Sequence, residues 1–304
     1  MPRSYRYLHL DVFTDRLFGG NQLAVFLEGR GLSGETMQAI AREMNYSETT
    51  FVLPPERPDT DARVRIFTPA EELPLAGHPT IGTTFALARS GIVGPGRDRL
   101  VLGLGVGPTP VTLTWRDGEL AFVWMTQPNP TFGAPIADPS GAAAALRLSA
   151  AAVSGTGLPV QTVSCGLPFL FVPLATRRAV DNAALDATAY DEFRRAANLD
   201  ELPIFLFSTG SASDKATVYS RMFAPGFGIA EDAATGSASG PLGCYLVRHK
   251  VVPPEKAASM LSLQGVKMGR PSHVHIAIGV RNGEIDTVRV GGEAVVAGEG
   301  TLYV

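Results

Sequence analysis

The stretch RIFTP, Arg65 to Pro69, returns as RMFAP, Arg221 to Pro225, and the spacing between the two copies decides the fold. Working outward, Leu32-Ser33 opens a helical pattern that ends near Asn45, and Leu185-Asp186 opens another that ends near Asn198. Both pairs share an offset of 153 residues, whereas Arg65 to Arg221 is offset by 156 and Gly77 of AGHPTIG to Gly236 of TGSASGP by 159. An offset that drifts by a few residues while order is kept is what small loop insertions produce in a duplicated chain. The sequence therefore reads as two copies of one mixed strand-and-helix unit, an α+β protein.

Each copy opens with a hairpin pattern. A strand over Tyr7 to Phe13, a turn at Gly19-Gly20 and a second strand NQLAVFL match VQTVSC, Gly166 and LPFLFVPL in the second half. Ser33 and Asp186 stand where N-caps are expected. Prolines and turn residues cluster in MTQPNPTFGAP, Met125 to Pro135. The expected domains are residues 1–126 and 127–304, with the last strand free to return to the first. The Ala-rich run from Ala142 to Ala152 reads as one helix of small side chains.

Composition narrows the function classes. The 304 residues exceed the usual single core, and 45% hydrophobic with 18% charged residues is a globular balance. Lys and Arg number 26 against 29 Asp and Glu, giving a net charge of -3 with no basic run, so nucleic acid is not an expected partner. MPRSYRYLHLDVF alternates like a strand and lacks the apolar centre of a signal peptide, and no apolar run is long enough to span a bilayer. Cys165 and Cys244, distant in sequence, form no disulfide framework or thiolate cluster; a reducing cytoplasm fits.

The chemistry gathers at the glycine motifs. In both halves a glycine ends an irregular segment and a helix is expected to begin, with Pro79 in the opening turn of the first and Thr235-Gly236-Ser237 as a small, cap-competent start to the second. If the halves pack about a pseudo-twofold axis, both helix N-termini can face one cleft and offer N–H groups to a carboxylate or an enolate-like intermediate. Glu48, His78, Asp232 and Ser237 are the proton-handling groups placed near those glycines. Glu48 sits among Asn, Tyr, Ser and Thr in NYSETTFV, a setting for a carboxyl that gains and loses a proton.

NYSETTFV, FTPAEELPLAGHPTIGT and EDAATGSASGPLG together resemble the signatures of the PhzF family of phenazine-biosynthesis isomerases, over nearly the whole chain. The resemblance implies the diaminopimelate epimerase-like fold of two similar domains, with the active site in the interdomain cleft. It implies cofactor-independent isomerisation of a dihydro-hydroxyanthranilate-like acid, by a cytoplasmic homodimer with neither metal nor membrane partner. Glu48 is then the catalytic acid/base, assisted by His78 and Asp232. Ser47, Gly77, Gly236 and Ser237 hold the small anionic substrate. Two positions depart from the family pattern: Gln22 stands where proline follows the asparagine, and Ala233 replaces the proline of Asp-Pro-Ala. They bear on substrate identity more than on reaction type.

Two further readings stand beside this one. An amino-acid racemase needs a base on each face, but neither cysteine lies at a glycine motif; a catalytically silent binding protein would have no need of all four polar groups. Glu201, offset by 153 from Glu48, lacks hydroxyl neighbours and reads as structural. His273 and His275 share a strand face at metal-ligand spacing, without a nearby carboxylate or cysteine cluster to complete a coordination sphere. GLGVGPTP, Gly103 to Pro110, is not a dinucleotide fingerprint.

Overall fold

The computed structural model describes residues 3–209 and 215–304. The chain forms two compact units. The first comprises Met1–Thr126, Arg270–His273 and Arg289–Val304; the second comprises Gln127–Gly269 and Val274–Val288.

In the first unit the elements run β1 (Ser4–Val12), β2 (Asn21–Phe26), α1 (Gly34–Met44), β3 (Glu48–Leu53), β4 (Ala62–Phe67), β5 (Glu72–Leu73), α2 (Gly77–Arg89), β6 (Arg99–Leu104), β7 (Gly107–Arg116) and β8 (Glu119–Gln127). β1 pairs antiparallel with β2, β2 parallel with β3, β3 antiparallel with β4, and β4 antiparallel with β5 but parallel with β6. Ser33 caps α1, its Oγ accepting from the Thr36 N–H at 3.1 Å, and Asn45 closes the helix in the left-handed region. α1 lays Met37, Ile40 and Ala41 on Phe26, Phe51 and Phe67.

The second unit adds β9 (Thr131–Pro135), α3 (Ser140–Ala145), α4 (Ala150–Ser154), β10 (Gln161–Ser164), β11 (Pro168–Pro173), α5 (Arg177–Asn182), α6 (Ala187–Ala196), β12 (Ile204–Ser208), β13 (Val218–Ala224), β14 (Ile229–Asp232), α7 (Gly236–Arg248), β15 (Met260–Gln264) and the greater part of β16 (Ser272–Arg281) and β17 (Glu284–Gly292). Its pairings repeat those of the first unit: β10 with β11 antiparallel, β11 with β12 parallel, β12 with β13 antiparallel, and β13 antiparallel with β14 but parallel with β15. Asp186 caps α6 through the Ala189 N–H at 3.1 Å, and Asn198, just past its end, is left-handed like Asn45. The final strand, β18 (Ala294–Tyr303), belongs to the first unit and pairs antiparallel with β1.

The Ala-rich run is not one helix. α3 and α4 are separated by Arg147, whose left-handed backbone (φ 54°) turns the chain while Leu146 stays in the core. Packing of Leu146 and Val153 overrides the helix propensity of alanine. GLGVGPTP forms the tip of the β6–β7 hairpin, where Leu104 pairs with Gly107.

In each unit one helix is enclosed. Every residue of α2 from Gly77 to Leu87 is buried, and α2 packs on β1, β2, β3 and β18. Gly82 permits this approach, since a Cβ there would stand 2.5 Å from Leu23 Cδ2 and 2.7 Å from Val12 Cγ2. The helix also buries hydroxyls, which would be costly without partners. Thr80 and Thr84 donate back to the carbonyls of Ala76 and Thr80, at 2.6 and 2.9 Å, and Thr83 meets Thr50 at 2.9 Å.

Candidate active site

Two clusters of polar side chains stand at the starts of the enclosed helices, one in each unit. In the first unit, Asn45 ends α1, two residues follow, and Glu48 is the first residue of β3, paired with Leu23 of β2. That places Glu48 inside the unit, 8% exposed, and the first turn of α2 brings His78 to it with 3.4 Å between His78 Nε2 and Glu48 Oε2. Asn21, the first residue of β2, completes the cluster: its Nδ2 is 3.2 Å from His78 Nδ1, and Ser47 Oγ donates to its Oδ1 at 3.3 Å. Burial pushes the His78 imidazole down to about 3, against a backbone hydrogen bond at Gln22 that favours the charged form. His78 is therefore neutral at ordinary pH.

In the second unit Asp232 ends β14 and is 4% exposed, and Thr235 is the N-cap residue of α7. The Thr235 hydroxyl does not cap its helix. It donates to Asp232 Oδ2 at 2.6 Å, while Gln264 of β15 ties the turn together. Gln264 Oε1 accepts from the Thr235 N–H at 3.0 Å, and its Nε2 donates to the Asp232 carbonyl and to Thr235 Oγ1 at 2.9 and 3.0 Å. Gln127 Nε2 donates to the Gly236 carbonyl at 3.0 Å. Pro241 lies inside α7 and brings no N–H to the Ser237 carbonyl four residues back, so Ser237 stands in a first turn with one helical bond fewer.

The two helix starts share a design. Neither Ala76 nor Thr235 makes a side-chain cap, so the opening amides of both helices keep their donor capacity. Ser239 donates to the Thr235 carbonyl at 2.9 Å as Thr80 does to Ala76. Gly77 with His78 thus corresponds to Gly236 with Ser237.

An ion pair is also duplicated. Arg65 makes a bidentate contact with Glu72 at 2.7 and 2.6 Å and lies over the Phe67 ring; Arg221 does the same with Glu231, both bonds at 2.8 Å, over Phe223. Glu231 immediately precedes Asp232, so the clip fixes the strand end that carries it. The recurrence of arginine in RIFTP and RMFAP was the signal for this pair.

The halves differ at one place. The strand equivalent to β3 is β12, which starts with Ile204 after Pro203, both buried; Glu201 lies before it and is exposed. The strand register therefore corrects the pairing of Glu48 with Glu201. Loop lengths differ between the halves, so a constant sequence offset misses the equivalence by a few residues, and the equivalent position is apolar.

Asn21 stands in the early family motif but was given no role there, and Gln127 and Gln264 were not singled out by motif. All three lie far in sequence from the residues they hold, and an amide in a strand carries no distinctive spacing. His273 and His275 fall on one face of β16, the first exposed and the second half-buried. Cys165 and Cys244, remote in sequence, are buried neighbours with 4.0 Å between sulfurs.

A family profile described as phenazine biosynthesis-like protein matches residues 10–300. The chain is 37% identical over 302 residues to the trans-2,3-dihydro-3-hydroxyanthranilate isomerase of Pseudomonas aeruginosa, covering 98% of this chain and 99% of the relative. Among solved structures, it is similar to a PhzF-family phenazine biosynthesis protein of Bacillus anthracis, with a TM-score of 0.86 and 25% identity over 99% of this chain and all of that one. A hydroxyproline epimerase of Agrobacterium vitis shares the fold, with a TM-score of 0.67 and 15% identity over 99% of this chain and 93% of that one.

Proposed function

Because this chain belongs to the phenazine biosynthesis-like family and is an isomerase, we propose that it moves a proton between carbons of a small, unsaturated, anionic substrate resembling trans-2,3-dihydro-3-hydroxyanthranilate, with Glu48 as acid and base. The observation that carries this reading is the contact between Glu48 Oε2 and the neutral imidazole of His78 at 3.4 Å, both groups withdrawn from water. A carboxylate in such a setting can remove a proton activated by an adjacent double bond and return it to another carbon. The other unit offers no second carboxylate at the equivalent strand start, which suits one proton carrier. In this proposal Asp232 assists proton transfer, and Ser47, Ser237 and the Gly77 and Gly236 amides hold the anionic group. The relative from Pseudomonas aeruginosa carries the substrate in its name. The proposal includes a cofactor-independent, cytoplasmic homodimer.

The racemase alternative has less support. Its two-base chemistry would fall to cysteines, yet hydrogen bonding with Cys165, burial and the charge of Cys165 hold the Cys244 thiol well above its ordinary value. Such a thiol is a poor base at neutral pH.

The test is isotopic. Incubated in heavy water with trans-2,3-dihydro-3-hydroxyanthranilate, the protein is expected to yield a product with a shifted double bond and deuterium at the newly protonated carbon. Incorporation is partial where a shielded Glu48 returns the original proton. Inversion of an amino-acid α-carbon without double-bond migration would replace this reading with an epimerase. Binding without exchange or conversion would replace it with a silent binding protein.

A further inference from the structure

We infer that Asn21 is a positioning residue: its side-chain amide selects the tautomer of His78 that carries the proton on Nε2, the ring nitrogen nearest the Glu48 carboxyl. The inference deepens the reading of Glu48 as the proton carrier and rests on it only for its kinetic consequence.

The tautomer follows from the contact with the Asn21 amide, whose orientation is set on its far side. Ser47 Oγ donates to Asn21 Oδ1 at 3.3 Å, so the amide presents Nδ2, a donor, to His78 Nδ1 at 3.2 Å. A ring nitrogen facing a donor must keep its lone pair, and in a neutral imidazole the proton then resides on the other nitrogen. That other nitrogen, Nε2, lies 3.4 Å from Glu48 Oε2, a proximity without a hydrogen bond between the two atoms, so a proton on Nε2 faces the carboxyl.

The Gln22 backbone also hydrogen-bonds the His78 ring, and the rival state is the tautomer protonated on Nδ1. That state would turn the Nε2 lone pair toward Glu48 and favour a protonated carboxyl there. The Asn21 amide and the Ser47 hydroxyl bias the ring against it. All three anchors are buried or half-buried and sit at element starts: Asn21 on β2, Ser47 before β3, and His78 in the first turn of α2. The amide thus acts on the reaction through the imidazole, as an orienting partner does for a catalytic histidine.

The experiment uses the full-length protein labelled with 15N-histidine. Long-range proton–nitrogen correlations at neutral pH show which nitrogen of each of the five histidines is protonated, and the His78→Gln spectrum identifies the His78 signals by their loss. The wild type is expected to carry the proton on Nε2. Asn21→Asp replaces the donor by an acceptor and should move the proton to Nδ1, with thermal unfolding showing that the variant is folded. With trans-2,3-dihydro-3-hydroxyanthranilate as substrate, the same variant should lose about tenfold or more in kcat at a KM within about twofold, as expected when an interaction is lost in the transition state alone. Should Asn21→Asp fail to fold, Ser47→Ala takes its place. Freeing the amide to rotate should convert the single wild-type tautomer into a mixture.

A wild-type His78 protonated on Nδ1 overturns the inference, as does a tautomer unchanged in whichever of Asn21→Asp and Ser47→Ala is folded. If the tautomer shifts as expected while the wild type fails to convert the acid, the proposed reaction fails and the role of Asn21 in the cluster stands.

Discussion

His78 Nε2 faces Glu48 Oε2 across 3.4 Å, and neither side chain has a sizeable share of its surface in water. A neutral imidazole beside a carboxyl group brings no charge to it, so Glu48 keeps its capacity to take up and give back a proton. Glu48→Gln preserves the volume and removes the proton-carrying group. Turnover of trans-2,3-dihydro-3-hydroxyanthranilate is expected to fall at least about a hundredfold, the usual worth of general acid–base catalysis, while substrate still binds. Steady-state kinetics and equilibrium binding separate the two effects, and parental turnover in this variant would remove Glu48 from its role.

The His78 imidazole gives stability a pH dependence of known sign. Burial lowers its folded pKa to about 3, below the ordinary value of 6.5. The folded state thus resists a proton that the unfolded chain accepts. The contribution is fully present above pH 6.5 and is lost as the pH falls from there toward 3. At pH 4.5 the loss from this group alone should be about 2–3 kcal/mol. His9 and His249 are also lowered by burial, so the comparison needs a control. Urea unfolding of the wild type and His78→Gln at pH 7.5 and 4.5 supplies it. The variant should lose less stability between the two pH values, and equal losses would mean that the imidazole does not stay neutral.

The duplicated arginine clip should not be worth the same in both units. Arg221 is 8% exposed and, besides its bidentate contact with Glu231, donates through Nη1 to the carbonyls of Val180, Asp181 and Ala183. Arg65 is 20% exposed and its partner Glu72 is 40% exposed. Removing one member of a buried pair strands a charge, at about 3–5 kcal/mol, whereas a solvated pair is worth about 1 kcal/mol or less. Arg221→Met should accordingly destabilise the protein several times more than Arg65→Met, in urea midpoints at a common slope. The reverse order would show that the clip in the first unit is the stronger.

How far such relationships can be read in advance depends on their range. The repeat was legible because Arg65, Phe67 and Pro69 recur in order at Arg221, Phe223 and Pro225, and because Ser33 and Asp186 announce helices through local capping chemistry. Glu48 stood out as a carboxyl among hydroxyl neighbours, and His78 and Asp232 as titratable groups near the glycine motifs. The bonds that hold them did not. Gln264 reaches Thr235 across 29 residues and Asn21 reaches His78 across 57, and neither contact leaves a local pattern. The Ala-rich run failed for the opposite reason: its local preference was clear, but burial of Leu146 required a turn that no propensity scale contains.

The Thr235 hydroxyl joins the Asp232 carboxylate to the Gln264 amide, donating to the first at 2.6 Å and accepting from the second at 3.0 Å. Thr235→Val keeps the shape and deletes both bonds. Buried polar atoms that lose a partner cost about 1–3 kcal/mol, so the variant should unfold at lower urea. Stability alone does not distinguish a structural hydroxyl from one that holds Asp232 for proton transfer. Thr235→Ser makes that distinction, because it restores the hydroxyl without the methyl group. If Asp232 takes part in the reaction, Thr235→Val should lose kcat and Thr235→Ser should recover most of it, even where the loss of the methyl leaves the protein less stable than the wild type. Recovery of stability without recovery of kcat would mean that Asp232 does not depend on this bond for function. Full kcat in Thr235→Val, measured well below its unfolding temperature, would confine the network to the fold.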